Sequence, residues 1–586
     1  MNQRDTRPQR SPANPLVYGL GLAAVLFVLL LLFSGKAIHI DDTFYVRVGA
    51  DFLRDPLHPY NSTLNWDGKE ETLWKISLHP PLHSYLMAGA LFFVGDNEIP
   101  LHVVWAFLAA GCTYLMFQIA RQLCTHPVLA TLLAVLCPGF FVSATTLMAD
   151  ISLLFFWLLA VYFAILARNS NRSGFLWLAA VCSAAAAMTK YFGIALIPLL
   201  TVWLAATVWM SRSEKKATFS PSWVAGWAGV FCLPVMVVSA WGFYAMSQPE
   251  CGFFHPLAAA RFSTSEQHSM SEQFALSEDA GNEMVDGVRV ALSFLGGSLV
   301  WPLFLLPACR FLSGWLKMGL VAMLLFTIIA GWFAISFPDG RQIDFSYVEI
   351  TDAMAFAGAI AVVIAIASCS IRRDGDSLLL GLWFFGTLFF CSFINWSVNV
   401  RVILLAIFPL CVMVVRWGES LEKSQAWLFW TKIAVGPTLV VSLIVAIADY
   451  DFASVGRQFA QTTVRELIQS GEEVTFAGHW GFQYYMEKEG AHPIDFDSDL
   501  TFDEQRGYYL NRTGIMIYPL NNARLNPRMY NIALIDEVDS SLPRFGVHSM
   551  CGQANAGFYS SVWGTVPYNI DPDIPVDAFS VYRIVE

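Results

Sequence analysis

The sequence predicts an all-α polytopic membrane domain followed by a C-terminal soluble α/β domain, and three observations carry that prediction. Hydrophobic residues make up 56% of the 586-residue chain and charged residues 14%, against about 45–50% and about 25% in soluble domains. Runs of roughly 20 apolar residues, the length that crosses a bilayer core, recur up to residue 448. From residue 450 the composition returns to that of a soluble protein. The net charge of -11 argues against nucleic acid as a partner, because phosphate binding requires a basic surface.

The first apolar run spans 15–34 and contains GLGLAAVLFVLLLLF. It lacks a small-residue cleavage site and follows Arg4, Arg7 and Arg10, so it reads as a retained span with a cytoplasmic N-terminus. Further runs occupy 100–120, 127–146, 150–167, 174–189, 191–210, 223–246, 289–308, 316–335, 352–370, 377–394, 401–416 and 427–448, giving about thirteen spans. The run 79–95, HPPLHSYLMAGALFFVG, is either a further span or an interfacial helix, and the positive-inside rule decides between them. An outer-surface helix puts Arg121, Arg168, Arg172, Arg212, Lys215, Lys216, Arg310, Lys317, Arg372, Arg373, Arg416 and Lys423 all inside. The expected domains are a cytoplasmic tail 1–14, a transmembrane domain 15–449 with external loops 36–99 and 247–288, and an extracytoplasmic domain 450–586.

In the tail, a helical pattern at 455–469 precedes a short strand, EEVTFAG, and an aromatic run, HWGFQYYMEKEG. The apolar strands GIMIYPL, YNIALID and FSVYRIV follow. This predicts a small α/β domain of a size that can bury its own core. The tail carries 18 acids against 9 basic residues, and the loop 247–288 carries 7 acids against one Arg, so the outer face is the acidic one. Cys251 and Cys551 are the clearly external cysteines and form a candidate disulfide whose pairing sequence alone does not decide.

The candidate chemistry lies at the outer ends of spans. Asp41 and Asp42 follow the first span in HIDDTFYVRVGADFLRD. As interfacial carboxylates they suit proton abstraction, metal binding or a cationic substrate; as helix-start residues they suit capping. Adjacent helical residues point about 100° apart, so one faces the site while the other caps or supports. His79, in LHPPLHSYL, is set by two prolines towards that loop, or is structural. Asp150, in TTLMADISLL, opens a span at the same level. Lys190, in AAAMTKYFGIA, is a lone charge between two spans: it snorkels or pairs with a lipid phosphate. Arg401, in NWSVNVRVILLAIFPL, opens a span and suits bidentate phosphate binding. The acids of 247–288, with His255 and His268, fit no metal motif and suit a solvated loop or a lid. Trp480, Tyr484 and Tyr485 suit a core face or a sugar platform. No Walker A loop, GxGxxG fingerprint, GxSxG elbow or HExxH pair occurs, so a donor presented by the membrane is expected.

The order of first span, DD with an amphipathic helix, HPPL, an interfacial Asp, a TK between spans and an Arg before a Pro-containing span resembles the polytopic GT-C glycosyltransferases. Among these it is most similar to glycosyltransferase family 39, the protein-O-mannosyltransferase and aminoarabinose-transferase group. The resemblance implies an inverting transfer of sugar from a polyprenyl-phosphate carrier to a lipid, glycan or protein acceptor at the outer, periplasmic face of a bacterial inner membrane. It implies catalytic roles for Asp41, Asp42 and Asp150 and substrate-binding roles for His79, Lys190 and Arg401. Asp41 and Asp150 are candidate ligands for a divalent metal ion. Asp42 stands where Glu is common, and Val402 stands where an aromatic residue usually follows the Arg. The alternative is a transporter or flippase for lipid-linked or small solutes, which inverted repeats and mid-membrane charges would favour.

Overall fold

A computed structural model describes residues 14–584, apart from 67–68, 214–219, 263–279, 308–313, 315–317, 319–344, 373, 495–513 and 520–531. The N-terminal arginines, Lys215, Lys216, Arg310, Lys317, Arg373, most of the span 316–335, and Glu266, His268, Glu272, Glu278 and Asp279 lie outside the described residues.

The chain is mainly helical. Helix α1 (Pro15–Leu31) leads through a turn to the amphipathic α2 (Asp42–Arg54) and then to α3 (Leu82–Val94). At 13 residues, α3 is about 20 Å long, too short for a bilayer core of roughly 30 Å, and it packs on α2 as an interfacial helix. The bundle continues with α4 (Glu98–Leu123), α5 (Pro127–Val135), α6 (Pro138–Ser143), α7 (Ala149–Ser170), α8 (Ser173–Thr189), α9 (Leu196–Ser213), α10 (Pro221–Ser247), α11 (Ala280–Leu299), α12 (Phe345–Ile371), α13 (Gly375–Phe393), α14 (Val400–Ser420) and α15 (Ser424–Phe459). Among the described residues, eight helices are long and apolar enough to cross a membrane, and four shorter helices are apolar.

Two expectations need correction. The run 127–146 is not one span: it breaks between α5 and α6 at Pro138, whose ring and missing N–H end the preceding helix, and its last residues turn out of helix. Gly139 sits where any Cβ would meet Ile407 and Ser298, so the broken segment wedges against α14 and α11. The pattern 455–469 is likewise no separate helix. α15 runs on through a π turn (Ala460–Val464) and Arg465–Gln469, an apolar-to-polar helix of 46 residues, about 70 Å long. It continues past its apolar stretch as one rod, and the division expected at 449/450 falls inside it.

Helix α14 is apolar on every side and is therefore the one buried in the centre; every residue from Ile403 to Gly418 is inaccessible. At its C-terminal end Arg416 donates from Nη1 to the Leu123 carbonyl (2.8 Å) and from Nη2 to Asp374 (2.8 Å), while Arg168 pairs with Asp376. The ends of α4, α7 and α14 and the start of α13 thus meet at the face to which the positive-inside rule assigns the cytoplasm.

Beyond the rod, α16 (Trp480–Glu489) packs on a five-stranded mixed sheet. Its strands, β1 (Val474–Phe476), β2 (His492–Pro493), β3 (Ile515–Pro519), β4 (Ile532–Asp539) and β5 (Ala578–Ile584), lie in the order β2-β1-β3-β5-β4. The predicted strands are all present, but the domain does not bury a core of its own. Phe476, Phe482, Ile517 and Phe579 share one cluster with Phe44, Tyr45, Phe52 and Trp74 of the first external loop and α2. Tyr484 and Tyr485 belong to that cluster, which favours the core-face reading over the sugar platform. The segment between β4 and β5 enters the bundle: Phe558, Tyr559 and Tyr568 join its core, and the Val400 N–H donates to the Phe558 carbonyl (3.2 Å). Cys251 is a free thiol, so no bridge joins it to Cys551.

A reporter test follows from the rod and the clustered arginines. A C-terminal alkaline phosphatase fusion in a bacterial host should be active and a C-terminal green fluorescent protein fusion dark; the reverse pattern would invert the topology.

Candidate active site

Arg401 is the second residue of α14, whose first turn is capped by Asn399 accepting from the Val402 N–H (2.9 Å). A cation at a helix N-terminus opposes the helix dipole, so its position makes sense only through what it touches. Its Nη1 donates to Asp41 Oδ2 (2.6 Å) and its Nε to Asp150 Oδ2 (2.8 Å). Asp150 lies in the first turn of α7, where the dipole favours an acid, and its second oxygen accepts from Lys190 Nζ (2.6 Å). Lys190 ends α8 in an extended conformation, and the chain turns back there because Gly193 lies directly on the Ala186 backbone. Four charges from four separate stretches of sequence form one chain, Asp41–Arg401–Asp150–Lys190. The Asp150 side chain is 4% exposed and that of Asp41 29%, so Asp41 is the open end.

Asp41 does not cap α2 with its side chain, which removes the bland reading of that residue. Asp42 is different. It is fully buried, accepts from the Leu147 N–H (2.8 Å) through Oδ1 and faces His39 Nδ1 (3.2 Å) through Oδ2. These contacts put Asp42 in the supporting position of the two acids, behind the Asp41 turn. Lys190 does not snorkel: its ammonium is turned inward and held by Asp150. His79 stands at the rim, its ring over Tyr45 (centroids 6.4 Å apart).

Burial pushes the Asp41 carboxyl up, but the charge and hydrogen bond of Arg401 outweigh it and hold the group below the ordinary value. Burial lowers the Lys190 ammonium, partly countered by Asp150. Burial and the Lys190 charge push His79 down to about 3. His255, from the second external loop, is also buried; it bonds the Ser77 carbonyl (2.6 Å) and the Tyr191 hydroxyl (2.7 Å), and burial pushes it down to about 4.

Behind Asp42 lies a second polar cluster that sequence reasoning missed. Lys36, just after α1, is wholly buried and pairs with Asp449 of α15; it also donates to Thr145 Oγ1 (3.2 Å). Asp449 accepts from Ser549 (3.0 Å) and Tyr559 (2.8 Å), and the Tyr559 hydroxyl also meets His39 Nε2 (3.1 Å). A signal existed for the first pair, since a Lys and an Asp at span ends each call for a named partner. Nothing near Tyr559 in the sequence marked it.

For a divalent metal the donor set fits poorly. Among the described residues no three His, Cys, Asp or Glu side chains converge, and both candidate carboxylates are engaged by Arg401.

Residues 78–241 match the family described as dolichyl-phosphate-mannose-protein mannosyltransferase. This segment contains His79, Asp150 and Lys190, while Asp41, Asp42 and Arg401 lie outside it. The resemblance to the protein-O-mannosyltransferase group holds on that segment. No curated protein matches the chain. Among solved structures, ArnT from Cupriavidus metallidurans bound to undecaprenyl phosphate is 12% identical, covers 86% of this chain and 93% of its own, and aligns with a TM-score of 0.38. The same protein in the apo state aligns with a TM-score of 0.39 at 12% identity, over 88% of this chain and 96% of its own. The S. cerevisiae protein O-mannosyltransferase Pmt1–Pmt2 complex bound to the sugar donor aligns at 16% identity over 39% of this chain and 33% of its own, with a TM-score of 0.29.

Two outcomes are expected. Asp449→Ala strands a buried ammonium and should cost about 3–5 kcal/mol, read as thermal unfolding in detergent, whereas Lys36→Met with Asp449→Leu should recover most of the loss. His79 and His255 have folded pKa values below the unfolded value near 6.5. The unfolded chain therefore binds more protons as pH falls, so the stability they contribute is complete above about pH 6.5 and is lost towards pH 4. The thermal midpoint should drop over that window, and His255→Gln should flatten the drop.

Proposed function

We propose that the protein is a membrane glycosyltransferase that moves a sugar from a polyprenyl-phosphate donor to an acceptor at the outer, periplasmic face, with inversion at the anomeric carbon. The observation that carries this reading is the Asp41–Arg401–Asp150–Lys190 chain at the end of the bundle. It supplies a partly open carboxylate and two cations in one place, the parts that displacement of a phosphate by a nucleophile requires.

In this reading the donor phosphate competes for Arg401 and Lys190, which now hold only carboxylates. A guanidinium turned towards phosphate makes the two-pronged contact that its planar fork favours. The same turn frees Asp41 from the cation that depresses its basicity. Asp41 then takes the proton of the acceptor group while that group attacks the anomeric carbon. One bond forms from the acceptor to that carbon, the bond from carbon to phosphate oxygen breaks, and its electron pair stays on the phosphate under Arg401 and Lys190. Asp150 keeps the two cations in register. His79, neutral at physiological pH, lines the rim. The donor is already anionic at its leaving group, so stabilisation by cations matters more than protonation.

Purified protein in detergent with radiolabelled undecaprenyl-phosphate sugars and a native membrane extract as acceptor tests the reading. Transfer by the wild type supports it, since a transporter makes no product; a purified protein that forms none overturns it. Asp41→Asn should lower kcat by about 10²–10⁴-fold, the usual worth of a general base, while Arg401→Lys should chiefly weaken use of the donor.

A further inference from the structure

Tyr45 lies one turn beyond Asp41 on α2, and its N–H donates to the Asp41 carbonyl (3.1 Å). Its ring is wedged edge-on against His83 (centroids 4.4 Å) and over His79, and the residue is 1% exposed. The phenol oxygen is buried and has no hydrogen-bond partner among the described residues. Burial, reinforced by the charge of Asp41 and offset in part by that of Arg401, keeps this phenol protonated, so it is a donor. A buried hydroxyl without a partner destabilises a fold, and Phe would pack between His79 and His83 without that defect. Packing therefore accounts for the ring and leaves the hydroxyl unexplained.

A group that met both this donor and the Asp41 carboxylate would have to accept one hydrogen bond and give another. A hydroxyl does both. A phosphate dianion offers only acceptors, and Asp41 would repel it. We propose that the Tyr45 hydroxyl is a substrate-binding donor that holds the attacking hydroxyl of the acceptor against Asp41. The proposal rests on the sugar-transfer reading and deepens it: the acceptor is an alcohol, its oxygen oriented by Tyr45 and its proton received by Asp41. When the oxygen attacks, the O–H electron pair forms the new bond to the anomeric carbon, the proton passes to Asp41, and the phosphate leaves with its electrons.

Tyr45→Phe tests this, with three readouts on full-length protein in detergent. The thermal midpoint should stay level or rise, since no intramolecular bond is lost. The stabilisation produced by undecaprenyl phosphate should be unchanged. Transfer from a radiolabelled undecaprenyl-phosphate sugar, measured against dilutions of a native membrane extract, should lose about tenfold or more in kcat/KM for the acceptor. Transfer equal to wild type overturns the assignment, as does a thermal midpoint lowered by several degrees, which would make the hydroxyl structural. Loss of the undecaprenyl-phosphate effect would give Tyr45 to the donor instead and also overturn it. If the wild type transfers nothing, the sugar-transfer reading fails and this assignment falls with it.

Discussion

The arrangement depends on one guanidinium. Arg401 stands at the start of the most buried helix in the bundle, at the end where the helix dipole is least hospitable to a cation. Two carboxylates from α2 and α7 hold it there. Removing the cation would leave the Asp41 and Asp150 carboxylates facing each other without their shared partner, which is strongly destabilising for the buried Asp150. The first external loop, the interfacial helices and the central helix are thus fastened together at the place where chemistry is proposed. Charges this expensive are retained for what they do to each other, not for the stability they add.

The cluster is also balanced. Two acids and two bases neutralise each other, so the resting site presents little net charge to the membrane around it. An entering anion must break that balance, and it can do so only by drawing cations away from carboxylates. In the proposed sugar transfer, recognition of the phosphate and activation of the base are two sides of one rearrangement, and the site is inactive until the donor is present.

Much of this was legible in the sequence. Apolar runs gave the bundle, and short apolar stretches in the tail gave the strands at 474–476, 515–519 and 532–539. Asp41, Asp150, Lys190 and Arg401 were each visible as an ionisable residue at a span end, although nothing in their spacing said that they touch. What stayed hidden had physical reasons. Pro138 breaks an apolar run without altering its hydropathy, so one apparent span became two short helices. The helical period at 455–469 was clear, but periodicity does not show whether a helix begins there or arrives from the membrane. The C-terminal domain had ordinary composition because half of its core comes from elsewhere, from Phe44, Phe52 and Trp74. Tyr559 was invisible for the same reason: its partners, His39 and Asp449, lie more than a hundred residues away in sequence.

The union of Lys36, Asp449, Ser549 and Tyr559 also has a meaning for how the molecule is made. Lys36 reaches the membrane with the first span, but its acid arrives with the last and its final hydroxyls arrive in the exported tail. At ordinary synthesis rates of roughly 5–20 residues per second, that interval is on the order of 30–100 s. Through it the ammonium lacks its charged partner, with only the Thr145 hydroxyl available earlier, and an uncompensated charge inside the bilayer is costly. The polar cluster therefore cannot be completed before nearly the whole chain has been translated, so assembly order as well as geometry sets when the region behind Asp42 takes its final form.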